Sequence, residues 1–404
     1  MQYNTDLLKE ENMKSTTALR ITAALCSGAM LFGAGACGNG SASSDDKVIE
    51  WWDDWTRHED GSEFDKLVKE CAPEGYTIER QAIATSDLLN NLTTAIKEDN
   101  GPDVAVIDNP MIPSAVDAGL VAGSGESGLD VSAWDENLEA PGVVDGEAYG
   151  VPLGGSNTLG LMYNPDIIEA AGVDVTAITD WDSLNDAISK VVDAGYKGIT
   201  FSGISGEEGV FQFLPWFWGA GGDLSDIESQ AKDDAEALLS SWISKGWAPK
   251  SATTNTQSTS WDLFLAGDYG FAEIGTWMQT EADEAGAKMI PIPAKDGGVA
   301  PVPTGGEFAM VAYHKKNADS HYELANQVIE CLSEPDTLLK VSNALSNLAA
   351  KKEVRDQQLS DSEGLAQWKE SIENAQGRTS DLGLTYEEAS ASLSESLLKA
   401  LNNA

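Results

Sequence analysis

The sequence contains few of the residues from which metal and catalytic sites are usually built. It has three histidines (His58, His314 and His321) and four cysteines in 404 residues. None of the histidines has a partner at the spacing of a zinc motif or a catalytic triad. A P-loop, a nucleophile elbow and a dinucleotide-binding glycine motif after a strand are also absent. We therefore expect no cofactor, no metal and no catalytic residues.

Basic residues are also scarce. The chain carries 25 Lys and Arg against 66 Asp and Glu, which gives a net charge of −41 and a pI near 4.1. This charge argues against nucleic acid and anionic membrane surfaces as partners of the folded body. The acidic residues are spread along the chain, so they indicate a solvated surface. With so many carboxylates, any two could be read as a glycosidase pair, and that signal carries no information without geometry.

No hydrophobic run is long enough for a comfortable membrane span. The apolar run at 21–36 is short and rich in glycine, and it follows the basic residues Lys14 and Arg20. This pattern is typical of a targeting segment. The stretch before Met13 contains acidic residues, which do not suit such a segment, so Met13 is a candidate for the true start.

Small residues lead directly into Cys37 and resemble the lipobox of bacterial lipoproteins, with Ala34 in place of the usual Leu. The resemblance implies a signal peptide at 1–36, lipidation of Cys37 and a flexible tether at 37–46. The alternative is an ordinary secretory signal with an incidental cysteine. In the rest of the chain, Cys71 and Cys331 could pair. Both fall on apolar faces of predicted helices, however, and we expect buried free thiols.

The first segment able to start a folded domain combines indoles with carboxylates. Residues 48–52 predict a strand, and Asp53, Asp54 and Trp55 follow where it should end. Side chains alternate along a strand, so Trp51 is assigned to the core and Trp52 is left undecided. Indole faces stack on C–H-rich surfaces and carboxylates accept from hydroxyls. A sugar offers both surfaces, and Trp55 is the better candidate for stacking on it.

Apolar periodicity in the first part of the chain predicts alternating strands and helices. A buried strand ends at Asp108 and Asn109 after a Gly-Pro turn. Such alternation is typical of a parallel sheet flanked by helices, and ligands bind outside the carboxyl ends of its strands. We therefore expect Asp53, Asp54 and Trp55 to share an edge with Asp108 and Asn109.

Several motifs in order resemble the extracellular solute-binding proteins of ABC transporters, in the maltose-binding-like sugar class. The closest matches are a hinge pattern, Tyr-Gly-Val-Pro at 149–152, and a strand ending Tyr-Asn-Pro-Asp at 163–166. Other matches are Trp-Asp-Ser-Leu at 181–184, a Trp-rich segment ending in Gly-Gly at 211–224, a strand ending Gly-Thr-Trp at 275–277 and Pro-Thr-Gly-Gly at 303–306. Departures are Glu273-Ile274 where the family usually has Met, and the Trp-rich first strand.

The resemblance implies an α/β fold of two lobes, each a parallel-rich sheet flanked by helices, joined by a hinge. The expected N-terminal lobe is 47–153 with a return segment at roughly 291–340, and the expected C-terminal lobe is 154–290 with 341–404. It also implies binding without catalysis. The expected partners are a mono-, di- or oligosaccharide and ABC permease subunits. The expected protein is a monomer, lipid-anchored on the extracellular face of a Gram-positive cell membrane.

Candidate ligand contacts come from both lobes and the hinge. One of Asp53 and Asp54, and one of Trp216 and Trp218, is expected to face the ligand, while Trp277 is the strongest aromatic candidate. The full predicted set is Asp53, Asp54, Trp55, Asp108, Asn109, Ser156, Asn157, Trp216, Trp218, Trp277, Gly306 and Glu307.

Three alternatives remain open from the sequence. A secreted glycoside hydrolase would use the same carboxylates for catalysis, and a lectin-like adhesin would bind polymers without lobe closure. A solute-binding protein for a polyamine, a peptide or a metal would suit the negative charge. The number of aromatic platforms favours a sugar of at least two rings.

Overall fold

A computed structural model describes residues 47–132, 134, 136–154, 157–379 and 382–404, except for the side chains of Ser86, Glu136 and Asn137. The predicted signal peptide, the lipidation site Cys37 and the whole predicted tether lie outside these residues, as does Ser156. No helix within the described residues combines the length and apolar character needed to cross a bilayer.

Strands and helices alternate along most of the chain. The strands are β1 Val48–Asp53, β2 Thr77–Ala82, β3 Val104–Asp108, β4 Val143–Val144, β5 Glu147–Ala148, β6 Gly150–Val151, β7 Leu159–Tyr163, β8 Lys197–Thr200, β9 Tyr269–Gly275, β10 Lys288–Ile290, β11 Val302–Pro303, β12 Glu307–Val311 and β13 Ala375–Gln376.

The helices pack on both faces of the sheets. They are α1 Glu63–Glu70, α2 Thr85–Lys97, α3 Ile112–Asp117, α4 Ser124–Ser127, α5 Glu136–Glu139, α6 Pro165–Ala170, α7 Trp181–Asp193, α8 Glu207–Gly219, α9 Gln230–Ser244, α10 Gln257–Leu265, α11 Gln279–Ala285, α12 Ala318–Ser333, α13 Pro335–Ala344, α14 Lys352–Asp361, α15 Glu363–Ala366, α16 Lys369–Glu373 and α17 Tyr386–Asn402.

Two separate sheets define two lobes. The first sheet has the order β2-β1-β3-β12-β6, with β1, β2 and β3 parallel and β12 antiparallel to β3 and β6. The second sheet has the order β10-β7-β9-β8, with β8 and β9 parallel and β7 antiparallel to β9. We call the structure around the first sheet the first lobe and that around the second sheet the second lobe. This is the two-lobed α/β fold that the sequence predicts.

The hydrophobic cores place the lobe boundaries differently from the sequence. Ile292, Ala300 and Val302 belong to the core of the second lobe, so the return to the first lobe begins with β12 and not near residue 291. The first-lobe core then extends through α13 to Val354, beyond the expected end at 340. The proline-containing segment at 291–303 therefore belongs to the second lobe.

The local helix signals were read correctly for most elements. Leu238 and Trp242 lie at helical spacing in α9 and are buried. α2 begins at Thr85, with Asp87 in its first turn. α3 ends at Asp117, and Val121 forms a bridge to Ala312 beside the sheet.

Cys71 and Cys331 form a disulfide, so the expectation of free thiols is wrong. Their Cα atoms lie 5.6 Å apart although 260 residues separate them in sequence. Cys71 caps the carboxyl end of α1 and Cys331 lies in α12, and both contribute to the same first-lobe core. The two sulfurs meet because the apolar faces of both helices are buried in the same core. The sequence shows that each face is apolar but not that the two faces pack together.

Removing this disulfide should destabilise the protein, because a crosslink that closes a long loop restricts the unfolded chain. The double variant C71A/C331A should unfold at a lower temperature, with a loss of about 2–5 kcal/mol in the free energy of unfolding. Thermal and urea unfolding with and without reductant measure this loss. Reductant should lower the melting temperature of the parent protein and leave that of the variant unchanged. Alkylation of Cys71 and Cys331 in the denatured, unreduced parent, detected by peptide mapping, would contradict the assignment.

Candidate functional site

Carboxylates from three segments meet at one edge of the first sheet. β12 runs antiparallel to β3, so Glu307 at the start of β12 pairs with Asp108 at the end of β3. Asp54 follows the neighbouring strand β1, and its charge interacts with those of Asp108 and Glu307. We call Asp54, Asp108 and Glu307 the carboxyl cluster. The sequence placed all three in the candidate site.

Asp53 has a different role from the one predicted. It is the last residue of β1 and is fully buried. Its Oδ2 accepts from the Arg80 Nε at 2.6 Å and from the Trp51 indole at 2.8 Å, while its Oδ1 accepts from Arg80 Nη2 at 2.7 Å and from the Trp55 amide at 3.0 Å. With both oxygens occupied, Asp53 holds the loop after β1 in place, and Asp54 is the carboxylate left to face a ligand.

Trp55 is positioned by packing on the first lobe. Its ring meets Phe64 edge to face with centroids 4.8 Å apart, and its carbonyl accepts from Arg80 at 3.0 Å. It also lies against Glu307 and Gly154, because a Cβ added to Gly154 would come 2.1 Å from Glu307 Oε2 and 3.0 Å from Trp55 Cζ2. Only glycine fits at 154, and the partly buried Trp55 ring borders the carboxyl cluster.

Burial and mutual repulsion raise the pKa values of the carboxyl cluster. Burial, followed by the charge of Asp108, raises the pKa of Asp54 to about 7. Burial, followed by the charges of Asp54 and Asp108, raises the pKa of Glu307 well above its usual value. Burial also raises the pKa of Asp108, against the opposing effect of the Arg378 guanidinium. Near neutral pH the cluster therefore retains protons that exposed carboxylates would release.

Two oxygens of the cluster lack a hydrogen-bond partner among the described residues. These are Asp54 Oδ1 and Glu307 Oε2, and both atoms are buried. The other oxygen of Asp54 accepts from the Thr85 hydroxyl at 2.9 Å. A buried polar atom without a partner costs about 1–3 kcal/mol. A ligand that supplies hydroxyl or amine donors at this edge would remove that cost.

Arg378 connects the carboxyl cluster to the second lobe. It is almost fully buried, and its Nη2 donates to Asn109 Oδ1 at 3.1 Å and lies 3.5 Å from Asp108 Oδ1. Its Nη1 donates to Glu207 Oε1 at 2.5 Å, at the start of α8. The guanidinium also lies 4.6 Å from the centroid of the Phe211 ring. One buried cation thus contacts the strand end of the first lobe and a helix of the second.

Glu207 is held by three donors besides its position at the helix start. The Tyr386 hydroxyl donates to its Oε1 at 2.6 Å and the Ser390 hydroxyl donates to its Oε2. Both donors belong to the closing helix α17. Since Arg378 binds the same carboxylate, the C-terminal segment fixes the position of the buried cation.

Asn109 and Asn157 fix the backbone where the chain crosses between the lobes. The Asn109 side chain donates to the Thr304 carbonyl at 3.2 Å, and its amide donates to the Gly306 carbonyl at 3.3 Å. The Gly305 amide donates to the Asn157 carbonyl at 2.6 Å. Gly306 has a φ of +124°, a conformation that favours glycine. The asparagine side chains are largely buried, so they brace the crossing segments.

Trp277 lies in the second lobe and faces the first. It follows β9, is partly buried, and its ring centroid is 6.0 Å from that of Phe211. Arg57 of the first lobe approaches it, with Nη2 3.5 Å from the Trp277 carbonyl oxygen and Nη1 3.4 Å from the Met278 sulfur. A continuous series of contacts therefore runs from Trp277 through Phe211 and Arg378 to the carboxyl cluster.

A cavity of about 540 Å³ lies beside this series, between the lobes. The first lobe contributes Arg57, His58 and Asn343 to its lining, and the second contributes Trp261 and Trp277. Burial and the nearby Arg57 and Arg80 charges lower the pKa of His58 to about 4, so its imidazole is neutral at pH 7. The volume is within the range of small-molecule sites.

Trp216 and Trp218 are both core residues, whereas the sequence predicted that one would face a ligand. Trp216 is fully buried, donates to Glu273 Oε2 at 3.0 Å and packs edge to face on Trp242 at 5.1 Å. Trp218 also belongs to the second-lobe core. The reason is that α8 is apolar on all sides from Val210 onward and is buried as a whole.

Four residues of this site were not predicted as functional from the sequence: Arg57, Glu207, Phe211 and Arg378. A usable signal was the rarity of arginine, since the chain has five and three of them (Arg57, Arg80 and Arg378) lie at or directly behind this site. In a chain with a net charge of −41, a buried guanidinium marks a place where carboxylates must be neutralised.

Comparison with known proteins identifies relatives across most of the chain. A stretch of 271 residues is 24% identical to a protein of Brucella abortus (strain 2308) that is named as a binding protein, and the match covers 63% of this chain and 62% of that one. The chain thus spans somewhat less than two thirds of the length of this relative.

Solved structures share the fold. The GacH receptor of Streptomyces glaucescens, determined unliganded and with acarbose, superposes with a TM-score of 0.72 at 19% identity, covering 88% of this chain and 96% of that one. Maltose-bound MalE3 of T. maritima gives a TM-score of 0.72 at 19% identity, covering 88% and 98%. These likenesses establish the two-lobed binding-protein fold.

The family model described as bacterial extracellular solute-binding protein matches residues 62–374, which include every strand of the two sheets except β1. Asp108, Trp277 and Glu307 lie within this match, whereas Asp54, Trp55 and Arg378 lie outside it. The chain belongs to the bacterial extracellular solute-binding protein family.

Proposed function

We propose that this protein captures a sugar, a di- or oligosaccharide, between its lobes and delivers it to the permease of an ABC importer. One observation carries the proposal. Partly buried indoles from opposite lobes, Trp55 and Trp277, lie at the two ends of a connected set of side chains. This set contains buried carboxyl oxygens that have no hydrogen-bond partner in the part of the chain that the structure describes.

This combination suits the two surfaces of a sugar. Indole faces stack on the C–H faces of pyranose rings, each stacked pair contributing about 1 kcal/mol beyond the area it buries. Hydroxyl groups can donate to Asp54 and Glu307 and so satisfy their unpartnered oxygens. A micromolar dissociation constant requires about 8 kcal/mol in total, which a few stacked rings and satisfied hydrogen bonds can supply. The proteins of known structure that share this fold include complexes with acarbose and with maltose.

The proposed setting follows from the same reading. The protein acts by binding and releasing its ligand as a monomer, without catalysis, and its lobes close by a hinge. Lipidation at Cys37 after removal of a signal peptide anchors it to the extracellular face of a Gram-positive membrane. Its protein partners are the permease subunits.

A panel titration tests the function. Calorimetry of the purified protein with maltose, maltotriose, acarbose and diacetylchitobiose should give heat with at least one glycan. X-ray scattering should show compaction with that glycan, which a lectin-like adhesin would not show. Absence of heat with any di- or oligosaccharide would overturn the proposal. Release of reducing sugar would instead establish a glycoside hydrolase.

A cationic solute is the second candidate, and the carboxyl cluster favours it. Asp54, Asp108 and Glu307 lie close enough for their charges to interact, and Arg378 contacts Asp108. An amine could supply the additional positive charge. The same titration with spermidine and putrescine distinguishes this candidate from a neutral sugar.

Replacing either indole should weaken binding of the glycan found in the panel. W55A and W277A each remove a stacking face, and we expect the dissociation constant to rise about tenfold or more, equivalent to about 1.4 kcal/mol. W247A is the matched control, since Trp247 is a partly buried indole of the second lobe that lies against Lys245 and away from the cluster. Unchanged affinity in both W55A and W277A would show that neither ring is a platform.

The carboxyl cluster should make the ligand-free protein less stable as the pH rises. In the unfolded chain Asp54 ionises near its ordinary pKa of 3.8, whereas in the folded protein it keeps its proton until about pH 7. Between these values the folded state binds more protons, so the free energy of unfolding falls with pH. D54N should make this fall less steep between pH 5 and pH 7.5 in urea titrations. The exposed-surface variant D87N should keep the parent slope, and an identical slope in D54N would contradict the assignment.

A further inference from the structure

Two of the three histidines meet a buried carboxylate at the end of β3 opposite the carboxyl cluster. Asp103 precedes β3, His314 follows β12 and His321 lies in the first half of α12. No sequence motif indicates this meeting, because six residues lie between the two histidines and Asp103 is far from both in sequence. Potential ligand atoms of the three side chains lie within 4.8 Å of one another.

The three groups are in direct contact. His321 Nδ1 lies 2.5 Å from Asp103 Oδ1, and His314 Nε2 lies 4.0 Å from the same oxygen. The two imidazole rings stack in parallel, with centroids 3.8 Å apart and 2° between their planes. Two imidazoles therefore converge on one carboxylate oxygen, and both kinds of group bind transition metals.

The surrounding backbone fixes two of the three groups. The other oxygen of Asp103 accepts from the Glu50 amide at 2.8 Å, and the Asp103 backbone bonds to Glu50 and to Ala312 on either side. His314 Nε2 lies 3.0 Å from the Pro102 carbonyl oxygen. The Glu50 bond orients Asp103 from behind, as such bonds do in metal sites. A carbonyl oxygen only accepts, so His314 Nε2 donates to Pro102 in the ion-free protein and would release this bond in order to bind an ion. The Asp103 and His314 side chains are 7% and 10% exposed, while His321 is 36% exposed and has room to move.

The site is open on one side. A cavity of about 700 Å³ borders Asp103 and His321, together with Asn317, Asp319 and Tyr76. Two imidazoles and one carboxylate with an open position are the ligand set of many zinc sites, in which water takes the fourth place. Imidazole nitrogen selects zinc, copper or nickel over calcium or magnesium.

We propose that Asp103, His314 and His321 form a zinc-binding site at the amino end of β3. In the parallel stack the in-plane lone pairs of the two rings do not converge on one point, so the half-exposed His321 ring must tilt when the ion binds. The bound ion joins β3, the segment after β12 and helix α12, and so crosslinks the first sheet to a helix that covers it.

This site is separate from the sugar site. β3 is five residues long, and at about 3.3 Å per residue its two ends are about 13 Å apart. Loss of the zinc site should therefore leave glycan affinity unchanged, and failure of the sugar proposal would leave the zinc proposal standing.

Calorimetric titration of the chelator-treated protein with ZnCl2 tests the proposal. The parent should bind one Zn²⁺, and H314A and H321Q should each weaken that binding at least tenfold. The matched control is H58A, which removes the one histidine outside the proposed zinc site and should retain the zinc affinity of the parent. Co²⁺ should give the visible absorption of a tetrahedral site in the parent and lose it in H321Q. Zinc should raise the melting temperature of the parent and of H58A only.

Two results would overturn the proposal. One is equal zinc affinity and stoichiometry in the parent, H314A and H321Q, which would assign the binding to surface carboxylates. The other is the absence of zinc binding to the parent at 100 µM ZnCl2. A dissociation constant of 100 µM corresponds to a binding free energy of about −5.5 kcal/mol. Circular dichroism of H321Q, whose residue is half-exposed, verifies that the loss does not arise from unfolding.

Discussion

The candidate site depends on the ion pairs that the buried Arg378 guanidinium forms with carboxylates of both lobes. It contacts Asp108 and Asn109 in the first lobe and Glu207 in the second, and it covers the Phe211 ring. Removing one member of a buried ion pair leaves an uncompensated charge, which typically costs about 3–5 kcal/mol. The arrangement of the two lobes around this edge is therefore tied to one side chain, which the C-terminal segment holds through Tyr386 and Ser390.

The carboxylates at this edge differ in how fully their oxygens are hydrogen-bonded. This difference distinguishes the carboxylate that holds the loop from those that can bind a ligand. Asp53 has both oxygens occupied, by Arg80, an indole and an amide, so it holds the loop without needing a ligand. Asp54 and Glu307 each keep a buried oxygen without a partner among the described residues. Under the proposed function, a ligand hydroxyl donates to these oxygens and removes the cost of leaving them unpaired.

The fold could be predicted to a large extent because its signals are local. The strand–helix alternation in the first part of the chain depends on residues near one another in sequence, and the structure confirms it. The candidate site was partly predictable for the same reason. Asp54, Trp55, Asp108 and Glu307 lie at strand ends, and strand ends of one sheet share an edge.

The remaining features depend on contacts between distant segments. The pairing of Cys71 with Cys331 and the contact of Arg378 with Asp108 join residues 260 and 270 positions apart, and nothing near either residue in sequence indicates its partner. The sequence does not distinguish the roles of Asp53 and Asp54. In the structure, Arg80 of the neighbouring strand forms an ion pair with Asp53. Trp216 and Trp218 were misassigned because the pattern of α8 does not separate a buried helix from one that borders a cleft.

The two ends of β3 show how one rigid element can carry two independent sites. At its carboxyl end Asp108 lies in a group of carboxylates whose unmet hydrogen bonds suit an exchangeable ligand. At its amino end Asp103 is anchored by Glu50 on one side and meets two imidazoles on the other, an arrangement that suits an ion held in place. β3 pairs with β12 over its full length and with β1 at Val104 and Ala105, so both of its ends belong to one sheet. Under the two proposals, an ion at the amino end would stabilise the first lobe, while the carboxyl end would bind and release an exchangeable ligand.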